Sequence, residues 1–576
     1  MKSLTNKRWR VLPPAPPEYM QRLRHLHPVI AQVLYNRGFH QPQDITTFLN
    51  RDLSFDNPFR LKDMNRAVDR IRQAIRKRQN IVVYGDFDAD GVTSSALMAS
   101  VLKHLGARVR VYIPHRVDEG YGLNKAAIKR LATAGTHLLL TVDCGIRSVE
   151  EVAYAQHLGM DVIITDHHSV GPELPPAFAV INPKRHDDPY PFKGLAGVGV
   201  AYKLAQALLR VEHHIPVSQQ DAIMAEEELL DLVALGTVAD IVPLVDENRA
   251  LVFRGLKYLN DPIRPGLQAL MESARIRFGN VDTMSIGFML APRINAAGRL
   301  SSATLAFRLL MAKDLGEALP LASQLNTLNR QRQHLTRQAV AKAQGQLEEQ
   351  ADSPIYIVED PEFLPGIVGL IAGQITNATY RPTIAIHLEE QTSRGSARSI
   401  PEFHITHALD KVRDLLVRYG GHAAAAGFTV ENEKLPAFKT ALREVASEVL
   451  RGQELEPTLE IDTELDLSQV NWAFYELLQQ LAPFGERNPQ PVFLTRNLLV
   501  KEGIAVGSEG KHLKLTLSHE GRTWPAIAFR LGHLAASLPR RLDVVYHLGV
   551  NEWNGTRSLQ LVVLDLGISN SHHPLE

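Results

Sequence analysis

Cysteine is all but missing: Cys144 is the only one in 576 residues. A disulfide framework within the chain is therefore excluded, and such usage suits a reducing compartment, so a cytoplasmic protein is expected. Charge of one sign is missing as well. Lys plus Arg and Asp plus Glu both number 63. No global basic field advertises a polyanionic partner, and any nucleic-acid binding must use local patches. Long apolar runs are lacking too. The first twenty residues hold Lys7, Arg8, Arg10 and the prolines Pro13, Pro14, Pro16 and Pro17 where a signal peptide needs an apolar stretch. Neither secretion nor a membrane span is expected. There is no convincing internal repeat and no long low-complexity tract. What remains is 45% hydrophobic and 22% charged, a globular balance. The length suggests about three to four domains.

Residues 1–58 read as a proline-rich arm followed by short amphipathic helices around Val29–Phe48, without visible chemistry of their own. From 59 to 245 helix and strand alternate. A helix over Arg66–Lys77 leads into Ile81-Val82-Val83-Tyr84, and further apolar runs follow at Val109–Ile113, Leu138–Val142, Asp161–Thr165 and Ala179–Ile181. That alternation predicts an α/β domain with a parallel sheet, whose ligands sit at the carboxyl ends of the strands. Residues 246–350 read as helical and end in a breaker-poor stretch, Leu321–Glu349, that would span about 40 Å as a connecting helix. A second, smaller α/β domain is expected over 351–455, with strands near Ile355–Val358 and Thr383–Ile386 and a turn at Gly420-Gly421-His422. Residues 456–576 change character. Short strands at Thr458–Thr463, Leu513–Leu517, Trp524–Phe529, Leu542–Leu548 and Leu559–Leu564, with one helix at Asn471–Leu481, suggest an OB-fold-like β-barrel.

The polar clusters fall where strands end. Asp86, Asp88 and Asp90 leave the first apolar run together, at alternate positions just before a helix over Val92–Leu102. One such acid would be explained as a helix N-cap, but a cap has room for one. Three repel one another unless a cation is bound. Asp143 follows Leu138–Val142, and alone it reads as a loop acid. Asp166-His167-His168 follows the next run. An acid and two imidazoles offer a metal ligand, an acid or electrostatic group, and a carboxylate to orient a ring. Asp240 stands alone within Thr237-Val238-Ala239-Asp240-Ile241-Val242-Pro243, where an unpartnered carboxylate costs several kcal/mol, so it needs a cation or hydrogen bonds.

These four clusters, in this order, resemble the DHH phosphoesterase family, named for its Asp-His-His triplet. With Gly420-Gly421-His422-Ala423-Ala424-Ala425-Ala426-Gly427-Phe428 and the terminal barrel, the chain from about 60 to 570 is similar to that family's bacterial single-stranded-DNA exonucleases. The resemblance implies a DHH catalytic domain, a DHHA1-like second domain and a nucleic-acid-binding OB-fold. It also implies Asp88, Asp90, Asp143, His167 and Asp240 as metal ligands, with Asp143 bridging two cations, His168 facing the scissile phosphate, and Asp166 orienting a histidine. Pyrophosphatases of the superfamily begin the first motif with a histidine; here Tyr84 stands there, so the set for one metal is incomplete or uses Asp86. Mixed oxygen and imidazole ligands suit Mn2+ and tolerate Mg2+.

Arginines beside small residues, where backbone approaches closely, are candidates for phosphate contacts: Arg116, Arg299 and Arg398. By resemblance, Arg116, Ser396 and Arg398 form a pocket for a terminal 5′ phosphate, Arg299 lies near the reacting one, and Gly421 and His422 contact the strand. This implies 5′-to-3′ hydrolysis of single-stranded DNA in recombination and repair, with a single-strand binding protein and a helicase as partners, by a protein acting as a monomer. The run Arg70, Arg72, Arg76, Lys77 and Arg78 reads as a solvated helix face. Trp524, Phe529 and Trp553 are available in the barrel to stack on bases, at least one of them being core. Two other functions compete: a phosphodiesterase or pyrophosphatase for nucleotides and short oligonucleotides, which needs no barrel, and a non-catalytic binding scaffold, which needs no cluster of repelling acids.

Overall fold

A run such as Ile81-Val82-Val83-Tyr84, apolar at every position, must be covered on both faces. In the computed structural model, which describes residues 3–50, 55–217, 224–553 and 555–569, it forms strand β1 (Asn80–Gly85). Four strands join it in parallel: β2 (Arg108–Tyr112), β3 (Leu138–Val142), β4 (Asp161–Thr165) and β5 (Ala179–Ile181), in the order β2-β1-β3-β4-β5. Ile81, Val83, Leu138 and Leu140 pack on helices α1 (Met64–Arg76), α2 (Ala89–His104) and α3 (Gly197–His214). Val82, Tyr84, Leu139 and Ile164 face the other way, onto Leu123, Ile128, Val152 and Ala155.

Two expectations change here. Helix α2 starts at Ala89, not Val92, because the Asp88 carboxylate accepts from the N–H groups of Asp90 and Gly91 at 2.9 and 3.0 Å and so caps it. Arg70 and Arg72 are not on a solvated face. Arg70 Nε donates to Asp161 at 2.6 Å, and Arg72 Nη1 donates to Glu212 at 3.0 Å, both arginines being buried. The helix's own periodicity cannot reveal acids that β4 and α3 supply from elsewhere in the chain.

Helices α4 (Leu230–Ala239) and α5 (Ala291–Leu300) complete this core, and the connecting helix α6 runs from Leu315 to Glu348, about 50 Å at about 1.5 Å per residue. It is longer than expected: Pro320, the sixth residue of the helix, lies inside it and removes one i-to-i−4 hydrogen bond without ending it. Ala318, Leu321 and Leu325 belong to the first core, while Ala339, Ala343 and Leu347 belong to the second. That second core lies under helix α7 (Val368–Thr379) and a five-stranded sheet. The sheet is built from β6 (Tyr356–Asp360), β7 (Thr383–His387), β8 (Thr392–Arg398), β9 (Leu416–His422) and β10 (Ala425–Glu431), in the order β9-β10-β8-β7-β6. Gly420-Gly421-His422 is the end of β9 rather than a turn. Gly420 pairs with Gly427 and Gly421 with Ala426, and the turn falls on Ala423-Ala424. Glycine signals a turn locally, but a partner strand of small residues overrides it.

Residues 54–453 form one compact unit, and residues 1–53 with 454–576 form another. The second unit is a closed barrel. Its strands are β11 (Phe493–Val506), β12 (His512–His519), β13 (Arg522–Ala528), β14 (Arg541–Trp553) and β15 (Thr556–Ile568), joined β11-β12-β13-β15-β14, with β14 pairing back to β11. Sequence periodicity misses β11, the longest strand. Register shifts on its pairings with β12 and β14 break the two-residue alternation that would reveal it. Helix α8 (Trp472–Gln479) lies against the barrel. The N-terminal residues are part of this unit's core: Arg8–Val11 pairs in parallel with Thr458–Ile461, and buried Asp565 accepts from Ser3 Oγ at 2.6 Å and Trp9 Nε1 at 2.7 Å. Trp524 is core, whereas Phe529 is 58% exposed; the side chain of Trp553 lies outside the described residues. Among the described residues no helix is long and apolar enough to cross a membrane.

Candidate active site

The carboxyl edge of the first sheet collects the acids. Asp90, in the first turn of α2, accepts from the N–H groups of Gly197 and Val198 at 2.7 and 2.8 Å, so the start of α3 holds it in place. Asp143 follows β3 with a φ of 61°. A non-glycine residue in the left-handed region marks a place where the surroundings impose the conformation, and such residues cluster at functional sites. Asp240 caps the C-terminus of α4. His167, from the end of β4, lies among all three: its Nε2 stands 3.1 Å from Asp143, 3.6 Å from Asp240 and 3.9 Å from Asp90.

At this edge three groups of side chains bring their ligand atoms within 4.8 Å of one another: Asp90, His167 and Asp240; Asp86, Asp88 and Asp143; and Asp143, His167 and His168. Asp143 belongs to two of the groups, and Asp86 joins Asp88. All five sequence-predicted ligands therefore meet in one place. They fit a cation better than they fit one another. Asp86 Oδ1, Asp143 Oδ1 and both ring nitrogens of His167 are buried with no hydrogen-bond partner among the described residues. Burial first, and then neighbouring carboxylates, push Asp86, Asp90, Asp143 and Asp240 above the usual carboxylate range. Oxygen and imidazole donors left unsatisfied in this way are what a divalent ion satisfies.

The adjacent histidines are driven apart. Burial and the nearby His168 hold His167 well below the ordinary imidazole value, which keeps it neutral and fit to ligate. Burial works against a proton on His168 too, but the hydrogen bond and charge of Asp166 outweigh it and raise the group. Asp166 Oδ1 lies 2.8 Å from His168 Nδ1, and Asp166 is itself braced by the N–H of Ile146 at 2.9 Å. With Nδ1 committed to Asp166, the Nε2 of His168 is the nitrogen left to face a substrate.

The predicted anion-binding residues also converge. Burial, then Arg116, Arg332 and Arg398, push the Arg299 guanidinium down to about 9. Arg299 thus feels the positive charge of three further arginines, a setting that suits an anion. Arg116 lies 4.0 Å over the Phe87 ring, with its Nε unpartnered among the described residues. Arg398 Nη1 donates to Ser396 Oγ at 3.3 Å and to the Ala397 carbonyl at 2.8 Å. A Cβ at Gly369, in the first turn of α7, would meet Ser396 Oγ at 3.0 Å and Arg398 Nη2 at 3.1 Å, so a helix N-terminus abuts the same pair. His422, at the end of β9 next to Gly421, is held below the ordinary imidazole value by burial and then by the charge of His168.

One glycine tests the geometry. A Cβ at Gly197 would sit 2.4 Å from Asp143 Oδ1. Gly197→Ala is expected to displace that carboxylate and lower hydrolysis about 100-fold, the cost of an ångström-scale misplacement, while circular dichroism of the fold is retained. Wild-type rates would show that Asp143 need not be held there.

Residues 80–237 match the DHH family N-terminal domain, residues 352–448 the DHHA1 domain and residues 461–565 the RecJ OB domain. The chain is 38% identical over 570 residues to the single-stranded-DNA-specific exonuclease RecJ of Bacillus subtilis (strain 168), covering 98% of this chain and 71% of that protein. It is 34% identical to RecJ of Escherichia coli (strain K12), covering 93% of this chain and 95% of the other. The chain belongs to the RecJ family. The crystal structure of RecJ in complex with Mn2+ from Thermus thermophilus superposes with a TM-score of 0.82 at 32% identity, over 98% of this chain and 80% of that one. The Mg2+ complex of the same RecJ gives 0.76 at 31%, over 98% and 79%.

In this RecJ family member, sequence reasoning overlooked several residues at the site. Tyr121 places its hydroxyl 3.0 Å from His168 Nδ1 and donates to the Asp143 carbonyl at 3.4 Å. Asn182 Nδ2 donates to the His168 carbonyl at 2.9 Å, and Asn295 Oδ1 accepts from the N–H of Ala89 at 2.8 Å. Arg332, on α6, joins the arginine group with its Nε unpartnered among the described residues. A sequence signal existed for Asn182, which directly follows an apolar run as Asp143 does. The other three are brought in by packing alone.

Proposed function

We propose that this protein is a divalent-metal-dependent nuclease that shortens single-stranded DNA from its 5′ end, releases nucleoside 5′-monophosphates, and acts in recombination and repair. The observation that carries this reading is the cluster of acids around His167 at a parallel sheet's carboxyl edge, in which Asp86, Asp143 and His167 keep buried ligand atoms without hydrogen-bond partners among the described residues. Asp88, Asp90, Asp143, His167 and Asp240 would hold Mn2+ or Mg2+, and the membership of Asp143 in two groups supports two ions, with Asp86 beside Asp88 available to complete one set. When bound, such ions supply Lewis-acid stabilisation of phosphoryl oxygens and water activated at neutral pH.

The chain's own groups do the rest. His168 presents Nε2 to a phosphate oxygen while Asp166 retains the proton on Nδ1 and fixes the ring. The Tyr121 hydroxyl, donating to the Asp143 carbonyl, steadies the backbone just after β3. Arg116, Ser396 and Arg398 take the terminal 5′ phosphate, Arg299 lies toward the reacting phosphate, and Gly421 and His422 contact the strand. The proposed division of labour assigns cleavage to 59–245, spacing to 246–350, strand selection to 351–455 and strand holding to 456–576, with 1–58 as an arm that lacks chemistry. Partners of the single-strand-binding and helicase kinds, a monomeric state and a cytoplasmic setting rest on the resemblance and on the lone, buried Cys144.

A strand labelled at its 5′ end tests the reading. Labelled mononucleotide is expected as the first product, faster when the end carries a phosphate. Release from the 3′ end first would overturn the polarity, and turnover of a dinucleotide equal to that of a long strand would overturn the polymer as substrate.

A further inference from the structure

The first sheet's edge is a ruler, because neighbouring strands lie about 4.8 Å apart. In the order β2-β1-β3-β4-β5, Arg116 follows β2, Asp86 to Asp90 follow β1, Asp143 follows β3, His167 and His168 follow β4, and Asn182-Pro183-Lys184 follows β5. Positive charge stands at both ends of the row, with carboxylates and imidazoles between. The arginine group accounts for one end. Lys184 marks the other.

Lys184 is exposed yet anchored. Its backbone N–H donates to Asn182 Oδ1 at 2.8 Å, and the same Asn182 side chain grips the His168 carbonyl at 2.9 Å. Arg147, exposed on the loop after β3, donates from Nε to the Ser169 carbonyl at 2.9 Å. Arg147 is thus tied directly to the Ser169 carbonyl, and the Lys184 backbone is tied to the adjacent His168 carbonyl through Asn182. Neighbouring Lys62, Arg185 and Lys193 are paired with Asp187 or Asp188, whereas among the described residues Lys184 and Arg147 have no carboxylate within ion-pair distance.

We propose that Lys184 and Arg147 form a subsite for the phosphodiester on the far side of the scissile bond from the arginine group. Its occupant is the second internucleotide phosphate of the strand being shortened. Two strand spacings, about 10 Å, separate β3 from β5, a gap that a side chain as long as that of Lys184 can reach across in part. An ammonium acts there as a point charge and a guanidinium as a fork, both suited to a phosphodiester and indifferent to its base. The subsite makes the enzyme prefer a strand with more than one linkage. It rests on the nuclease reading above.

The test uses a 5′-phosphorylated dinucleotide, which has a single linkage and nothing to offer the subsite, and a long strand. A second long strand carries a neutral methylphosphonate at its second linkage. Lys184→Gln and Arg147→Gln are each expected to raise KM for the long strand about tenfold with kcat within about twofold, and to lower the salt slope of binding by about 0.7. The dinucleotide is unaffected, and Lys184→Arg restores KM. Wild type on the methylphosphonate strand should behave like the Gln variants on the natural one, and those variants should lose little more. Equal loss on the dinucleotide, no loss on any strand, or losses that multiply with the methylphosphonate would overturn the subsite. A wild-type protein that cleaves none of these substrates would instead bring down the nuclease reading itself.

Discussion

Asp143→Asn is expected to lower hydrolysis of single-stranded DNA by at least about a thousandfold while leaving strand binding within a few-fold of wild type. The side chain is 3% exposed, shared between two ligand groups, and 3.1 Å from His167 Nε2. Its replacement by an isosteric amide keeps the volume but removes an anionic donor to both groups. Stability separates this from simple misfolding. In the metal-free protein the substitution relieves repulsion with Asp90, Asp88 and Asp240, so the thermal midpoint should not fall. On adding Mn2+ the wild type should gain stability as a ligand-bound native state does, about 2.7 kcal/mol at about a hundred times Kd, and the variant should gain much less. Unchanged nuclease activity, or a midpoint that rises equally in both proteins, would remove Asp143 from the metal site.

Arg398→Ala is expected to erase the preference for a 5′ phosphate. Arg398 is braced by Ser396 and the Ala397 carbonyl, lies against the first turn of α7, and shares its surroundings with Arg299. A charge-assisted contact of this kind contributes about 1.5 to 3 kcal/mol, so kcat/KM on a phosphorylated strand should fall roughly 10- to 100-fold. The same variant on a 5′-hydroxyl strand should fall far less, because the group it would have met is already missing. Wild type on the hydroxyl strand and the variant on the phosphorylated strand should then nearly coincide. Equal losses on both strands would move Arg398 from the terminal phosphate to the reacting one or to the fold.

The candidate site was legible in sequence to the extent that its residues sit where apolar runs stop. Asp86, Asp88, Asp90, Asp143, Asp166, His167 and His168 each follow a buried strand, and a parallel sheet delivers the ends of its strands to one edge. Asp240 was visible for a different reason, as an acid inside an apolar stretch. Asp88 shows that a plain structural role and a functional one need not exclude each other: it caps α2 and still stands within reach of Asp86 and Asp143.

By itself, then, the sequence determined the α/β class, the parallel edge, the barrel and the chemical character of the cluster, because these follow from local periodicity and from the cost of crowding like charges. The tertiary structure alone decided which cations gather and which are spent elsewhere. Arg70 and Arg72 looked like surface and are buried in ion pairs, while Arg332, on the connecting helix, acts on Arg299. It also decided the hold of Tyr121 and Asn182 on His168 and the extension of β9 through Gly421. In each case the partner lies far along the chain, and the energy of a buried charge or a cross-strand pair depends on that partner rather than on the neighbours that a sequence pattern can read.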